Sequence, residues 1–234
     1  MKLVLFVDDR IETTETHTSD YKKNLLRFVN AHNYDRSILS SVDTSDADLE
    51  SVLQEKNSLL VFYATVATPL KLNYSTPGSL GPDRIAASLA GWQLSGGGNV
   101  LVVVAGSCIT YNIIDFNGTF LGGAIAPGIH MRLEALNHFT GKLPLVAMKG
   151  EYPLTGQSTE TSIRSGVLNG VINETKGMIE AYKMEFPSLK IVVSGGDGAF
   201  LAEALKNGIF ARPELVAEGL NTILNYNVVN RLIR

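Results

Sequence analysis

Residues 100–104, Val-Leu-Val-Val-Val, constrain the fold more than any other stretch of this chain. A run of five apolar residues between Gly96-Gly97-Gly98 and Gly106 fits a strand with both faces buried. Such a strand needs helices or loops on either side of its sheet. The pattern around it supplies them, because strand-like and helix-like segments alternate along the whole chain, and that alternation predicts a mixed α/β architecture.

The first half opens in β-structure. Residues 2–7 and 11–16 read as two strands joined by a turn at Asp8-Asp9. A helix is expected after Ser19, where Tyr21, Leu25, Leu26, Phe28 and Val29 recur at helical spacing behind a Ser-Asp cap signal. Strands over 36–42 and 59–64 flank a short helix over 46–54. Residues 69–82, rich in proline and glycine, read as an ordered loop rather than an element. The next helix starts at Pro82-Asp83-Arg84 and ends at the triple glycine, where a domain boundary is expected, giving units 1–98 and 99–234.

The second half places strands over 109–114 and 119–125 around Asp115-Phe-Asn-Gly118, a hairpin signal with Asn-Gly at its tip. A helix over 129–139, a loop over 142–157 of the length that often covers a site, and a long helix over 159–186 follow. A strand from Lys190 enters the glycine turn Ser194-Gly-Gly-Asp197, and helices over 200–205 and 213–224 close the chain. Both halves begin with a hairpin and continue into helices, which suggests two related α/β lobes.

Composition narrows the function. With 45% hydrophobic and 18% charged residues in 234, the chain can bury a core and lies outside the disordered regime. The 20 basic and 23 acidic residues are scattered, so no Lys/Arg block exists to neutralise a run of phosphates, and nucleic acid is not an expected partner. A single cysteine, Cys108, excludes an intrachain disulfide and a Cys-based zinc site, and suits a reducing compartment. The start resembles no signal peptide and no apolar run reaches the length of a membrane span, so a cytoplasmic protein with no membrane partner is expected.

Asp83 and Arg84 are the first candidates for chemistry. A carboxylate at a helix start can take the proton of an attacking alcohol, and a guanidinium can hold an anion. Asp83 can equally serve only the helix N-terminus, where a negative charge is worth about 0.3–1 kcal/mol. The turn Gly106-Ser107-Cys108-Ile109-Thr110 and the turn at Gly195-Gly196 can each present backbone N–H groups to a phosphate, or can be tight turns and nothing more. Ser158 or Thr159 is the expected cap of the long helix. His130 and His138 lack ligand-spaced partners and read as surface or core residues, and Cys108 as a small apolar one.

Taken in order, these segments resemble one family over essentially the whole chain, the type III pantothenate kinases. The likeness is carried by Tyr74-x-x-Pro77-x-x-Leu80-Gly81-x-Asp83-Arg84, by Ala105-Gly106-Ser107-Cys108-Ile109-Thr110-Tyr111, by Leu121-Gly122-Gly123-x-Ile125-x-Pro127-Gly128, by Thr159-x-x-Ser162-Ile163-x-x-Gly166, and by Ser194-Gly195-Gly196-Asp197. The resemblance implies two ribonuclease-H-like lobes of the acetate and sugar kinase and actin type, each a mixed sheet flanked by helices, and a homodimer. It implies ATP-dependent phosphorylation of pantothenate with Mg²⁺ and a monovalent cation, K⁺ or NH₄⁺. Asp83 then corresponds to the proton acceptor, Tyr74, Gly81, Pro82, Arg84 and Thr159 to pantothenate contacts, and Gly106, Ser107, Gly195 and Gly196 to nucleotide contacts.

Two departures qualify that implication. The family's opening strand and its Asp-x-Gly-Asn-Thr/Ser phosphate loop precede the strand that residues 2–7 resemble, so Met1 is expected to be either a true start without that loop or an internal methionine. The family's cation-binding aspartate is Val104 here, and a valine offers a cation no oxygen. The alternative to a kinase is a catalytically impaired dimeric module that binds pantothenate or a related small ligand. A role in transcription, a label some relatives carry, is disfavoured by the lack of a basic patch.

Overall fold

The computed structural model describes residues 1–41, 47–206 and 209–232. Val42 and Asp46, at the ends of the expected strand over 36–42 and helix over 46–54, lie outside the described residues. The chain divides into two compact units, Met1–Ala90 with Val216–Arg234, and Gly91–Leu215. These differ from the expected 1–98 and 99–234.

In the first unit, β1 (Lys2–Val7) and β2 (Arg10–Thr16) pair antiparallel, with Val7 opposite Arg10. Their turn uses Asp8 and Asp9, both at positive φ (48° and 62°), as a two-residue turn of the primed kind requires. Helix α1 (Tyr21–Ala31) buries Leu25, Phe28 and Val29, while Tyr21 and Leu26, expected on the same side, are exposed. Strand β3 (Arg36–Leu39), helix α2 (Ala47–Gln54) and strand β4 (Ser58–Val61) follow, and β3 pairs parallel to β4 across the α2 crossover. Leu25 and Val29 pack with Leu49, Val52 and Leu53 of α2 to form this unit's small core. The stretch expected to lack elements contains strand β5 (Lys71–Leu72) and a 3₁₀ turn (Pro77–Ser79) before α3 (Pro82–Leu94).

In the second unit, β6 (Val100–Ala105) and β7 (Cys108–Ile114) run antiparallel, as do β7 and β8 (Thr119–Pro127). The β7–β8 turn carries the Asn-Gly signal, with Asp115 Oδ1 accepting from the N–H groups of Asn117 and Thr119 at 2.9 and 2.8 Å. Helix α4 (Ile129–His138) follows β8. The expected single helix over 159–186 is interrupted: α5 (Thr159–Arg164) passes into a π-helical segment, Ser165–Asn169, and then into α6 (Gly170–Glu185). Strand β9 (Lys190–Ser194), helix α7 (Gly198–Leu205) and strand β10 (Ile209–Ala211), the last not anticipated, complete the unit in the order β10-β9-β6-β7-β8. Both β6–β9 and β9–β10 are parallel, so this sheet is mixed.

Every β6 residue except Val104 is fully buried, as its apolar run demands. Leu101, Val103 and Ala105 face a cluster that includes Ile129 and Leu133 of α4, Val167 and Leu168 of the π segment, and Val171 of α6. On the other face, α3 reaches Val102 through Gly91, where a Cβ would sit 2.3 Å from a Val102 methyl.

The last helix, α8 (Leu215–Val229), explains the division of the chain. Its residues bind the first unit: Asn221 and Asn225 both donate to Asp9 Oδ1, at 2.7 and 2.6 Å, and buried Asn227 donates to the Ala67 carbonyl at 2.9 Å. A Cβ on Gly219 would lie 1.9 Å from the Ala86 carbonyl oxygen, so the α8 and α3 backbones nearly touch. These partners are distant in sequence and leave no local signature. Leu101→Ala should cost about 2–5 kcal/mol in urea unfolding, whereas Phe116→Ala, at a 65% exposed side chain, should stay within about 0.5 kcal/mol.

Candidate functional site

The first group of candidate residues lies at the start of α3. The Gly81 carbonyl accepts from the N–H groups of Arg84 (3.1 Å) and Ile85 (3.3 Å), so Gly81 is the residue on which the helix opens. Pro82 takes the first helical position, where its missing N–H costs nothing. Asp83, half-buried, folds its carboxylate back over Gly81: a Cβ there would lie 2.6 Å from Asp83 Oδ1. A side chain at position 81 would push that carboxylate aside. Arg84, 6% exposed, puts a guanidinium in the same helical turn, and Tyr74 is half-buried in the preceding loop. The chain thus brings Gly81, Pro82, Asp83 and Arg84 together at one helix mouth.

The second group lies at the carboxyl ends of β6 and β9. Because these strands are parallel neighbours, their following turns emerge side by side, the place where open α/β sheets bind ligands. Gly106 and Ser107 form the turn into β7, and Gly195 and Gly196 the turn out of β9. Gly195, at φ 96°, comes so close to β6 that a Cβ would lie 2.0 Å from the Ala105 carbonyl oxygen, which also accepts from Asp197 N–H at 3.1 Å. Gly128 closes the group from β8: its N–H donates to the Ser107 carbonyl at 3.0 Å, and a Cβ would lie 2.1 Å from the Gly106 oxygen. Ser107 and Gly196 remain exposed within this nest of turns.

Two further residues belong to the second group. Asp197 precedes α7, and the Nε2 atom of His130, in the first turn of α4, lies 3.8 Å from its Oδ1. Burial pushes the Asp197 carboxyl above its ordinary range, and the nearby His130 offsets part of that rise. Sequence reading gave neither residue a role. The available signals were the Asp directly after Gly195-Gly196 and the His two residues past Gly128.

Thr159 occupies the first position of α5 and is exposed. The cap is Ser158, whose hydroxyl accepts from Thr161 N–H, while Thr161 Oγ1 accepts from Ser158 N–H. The loop before it is tied down from the helix: Arg164 donates to the Ala147 carbonyl (3.1 Å), Ser165 to Leu154 (2.9 Å) and Asn169 to Tyr152 (3.2 Å). Ser165 and Asn169 bound the π segment, a distortion often found near functional sites.

Val104 emerges on the same sheet face as its register partners Thr110 and Ser194. Among the described residues, no group of three or more His, Cys, Asp or Glu side chains could hold a metal ion. Nor is any described helix long and apolar enough to cross a membrane.

Comparison with known proteins gives a consistent picture. A family model described as Type III pantothenate kinase matches residues 2–181. A type III pantothenate kinase of Christiangramia forsetii is 47% identical over 192 residues, 82% of this chain and 79% of that protein. One from Cytophaga hutchinsonii is 40% identical over 232 residues, 97% of this chain and 95% of its own length. Among solved structures, a conserved Baf family protein from Campylobacter jejuni, described as a transcriptional activator, superposes with a TM-score of 0.62 at 23% identity, covering 93% of this chain and 91% of that one. That likeness concerns the fold.

The Asp197 environment makes a pH prediction. In the unfolded chain an aspartate ionises at lower pH than it does here, so ionisation of Asp197 removes stability as pH rises through its folded value. Asp197→Asn should therefore gain in melting temperature over the parent as pH is raised from about 4 to about 8. A gain that shrinks with rising pH would contradict the burial of this carboxyl.

Proposed function

The chain belongs to the type III pantothenate kinase family, and on that premise we propose that it transfers the γ-phosphoryl group of ATP to pantothenate, giving 4′-phosphopantothenate and ADP. The observation that best supports this reading is the α3 mouth, where the Asp83 carboxylate rests over Gly81 beside a buried arginine. In the proposed reaction the pantothenate hydroxyl oxygen bonds to the γ-phosphorus, the bond from that phosphorus to the ADP oxygen breaks, and the hydroxyl proton passes to Asp83. An alcohol is a poor nucleophile until that proton leaves, so the carboxylate must sit within reach of it.

Arg84 would hold the pantothenate carboxylate or an incoming phosphate oxygen, and its burial would strengthen the charge pairing. Tyr74, Pro82 and Thr159 are proposed as further acceptor contacts, with Gly81 giving backbone access. The Gly106-Ser107 and Gly195-Gly196 turns are proposed to meet the donor through the exposed Ser107 and Gly196, the Gly106 N–H being already given to the Cys108 carbonyl at 2.9 Å. Magnesium enters as part of the ATP complex, a substrate component that offsets charge on the transferring phosphoryl group. A homodimer is part of the same proposal.

Asp83→Asn tests the central role. It should lower kcat by about 10²–10⁴-fold with the melting temperature nearly unchanged, read by coupled ADP release in the presence of pantothenate. A fully active variant would remove Asp83 from the proton transfer. A parent chain that binds pantothenate in calorimetry yet releases no ADP would replace the kinase with a binding module.

A further inference from the structure

The monovalent cation that the family resemblance implies does not fit the residues at position 104. Val104 lies opposite Thr110 on β7 and Ser194 on β9, so the three side chains share one sheet face at the carboxyl ends of the parallel strands. A carboxylate at 104 would add two oxygens to that row, and valine adds two methyls. The hydroxyls beside it do not compensate. Thr110 Oγ1 accepts a hydrogen bond from the Asn112 amide at 3.1 Å, and the same amide nitrogen donates to the Val102 carbonyl at 3.2 Å. A donor hydrogen therefore points at the oxygen a cation would use.

The Ser194 hydroxyl is 2% exposed and has no hydrogen-bond partner among the described residues. It is placed where it could donate to a carboxylate at 104, and the valine gives it nothing to donate to. One such hydroxyl cannot replace a hydration shell: hard cations are held by about six or more oxygens, carboxylates prominent among them. Drawing a cation onto this face without an anionic partner would also carry a large desolvation cost.

We infer that this chain holds no K⁺ or NH₄⁺ at position 104, and that its phosphoryl transfer, on the kinase reading proposed above, does not depend on either ion. Charge on the phosphates is then met by the magnesium that accompanies ATP.

The test compares the full chain and Val104→Asp in KCl, NH₄Cl and choline chloride at equal ionic strength. Melting temperature is read first, without nucleotide, because an ion that binds only the folded state raises it. The parent should melt at the same temperature in all three salts, while Val104→Asp should gain stability in KCl and NH₄Cl over choline. Turnover with ATP and pantothenate is read second. The parent rate should agree within roughly two-fold across the salts, and a rise of about tenfold with K⁺ would mean a sizeable transition-state contribution from the ion.

A parent whose melting temperature or rate rises selectively with K⁺ overturns the inference. So does a folded Val104→Asp that ignores the cations, since position 104 would then not be the determinant. If Val104→Asp does not fold, the parent measurements decide alone. Absence of turnover in every salt would count against the kinase reading, and the melting temperatures would still settle cation binding.

Discussion

The Ala105 carbonyl is the point on which the second unit depends. It ends β6, accepts from Asp197 N–H, and lies so near Gly195 that no side chain fits between them. The parallel pairing of β6 and β9 brings both strand ends to one edge, and the positive φ of Gly195 turns its backbone onto the Ala105 carbonyl there. At the same edge Gly128 seats on the Gly106-Ser107 turn, and His130 in the first turn of α4 comes within 3.8 Å of Asp197, the residue before α7. A glycine-rich group of turns that leaves Ser107 and Gly196 exposed follows from one pair of backbones in close contact.

Much of this could be read from the sequence, for identifiable reasons. The apolar run at 100–104 declared a strand covered on both faces, and β6 is one. The Asn-Gly hairpin was legible because its turn chemistry is local, and so was the capping of α5, although the cap is Ser158 and Thr159 begins the helix. What escaped was non-local. Helix α8 joins the first unit through Asp9 and Ala67, partners far away along the chain. The π segment arises where Ser165 and Asn169 turn to loop carbonyls, and periodicity registers only an ordinary helix there. Strands as short as β5 and β10 are too brief to show a pattern.

The candidate site divides in the same way. Gly81, Asp83 and Arg84 stand out as candidates because they adjoin in sequence, and the structure adds that the Asp83 carboxylate lies over Gly81. The family resemblance alone groups the 106–107 and 195–196 turns, because their meeting rests on the parallel pairing of β6 and β9, strands far apart in sequence, and no local pattern records it. Asp197 and His130 emerged only with that meeting. The match to the family model and to relatives at 40–47% identity places the chain among the type III pantothenate kinases, and the proposals about Asp83 and Val104 rest on the resemblance of their motifs to that family.

The account stands or falls on phosphoryl transfer to pantothenate. Phosphorus NMR of a reaction containing the chain, Mg-ATP and pantothenate reads donor and acceptor together. The account predicts one new phosphomonoester resonance, growing in step with ADP and absent when pantothenate is left out. Formation of ADP and free phosphate at the same rate without pantothenate, or an ATP spectrum unchanged while pantothenate binds, would contradict it.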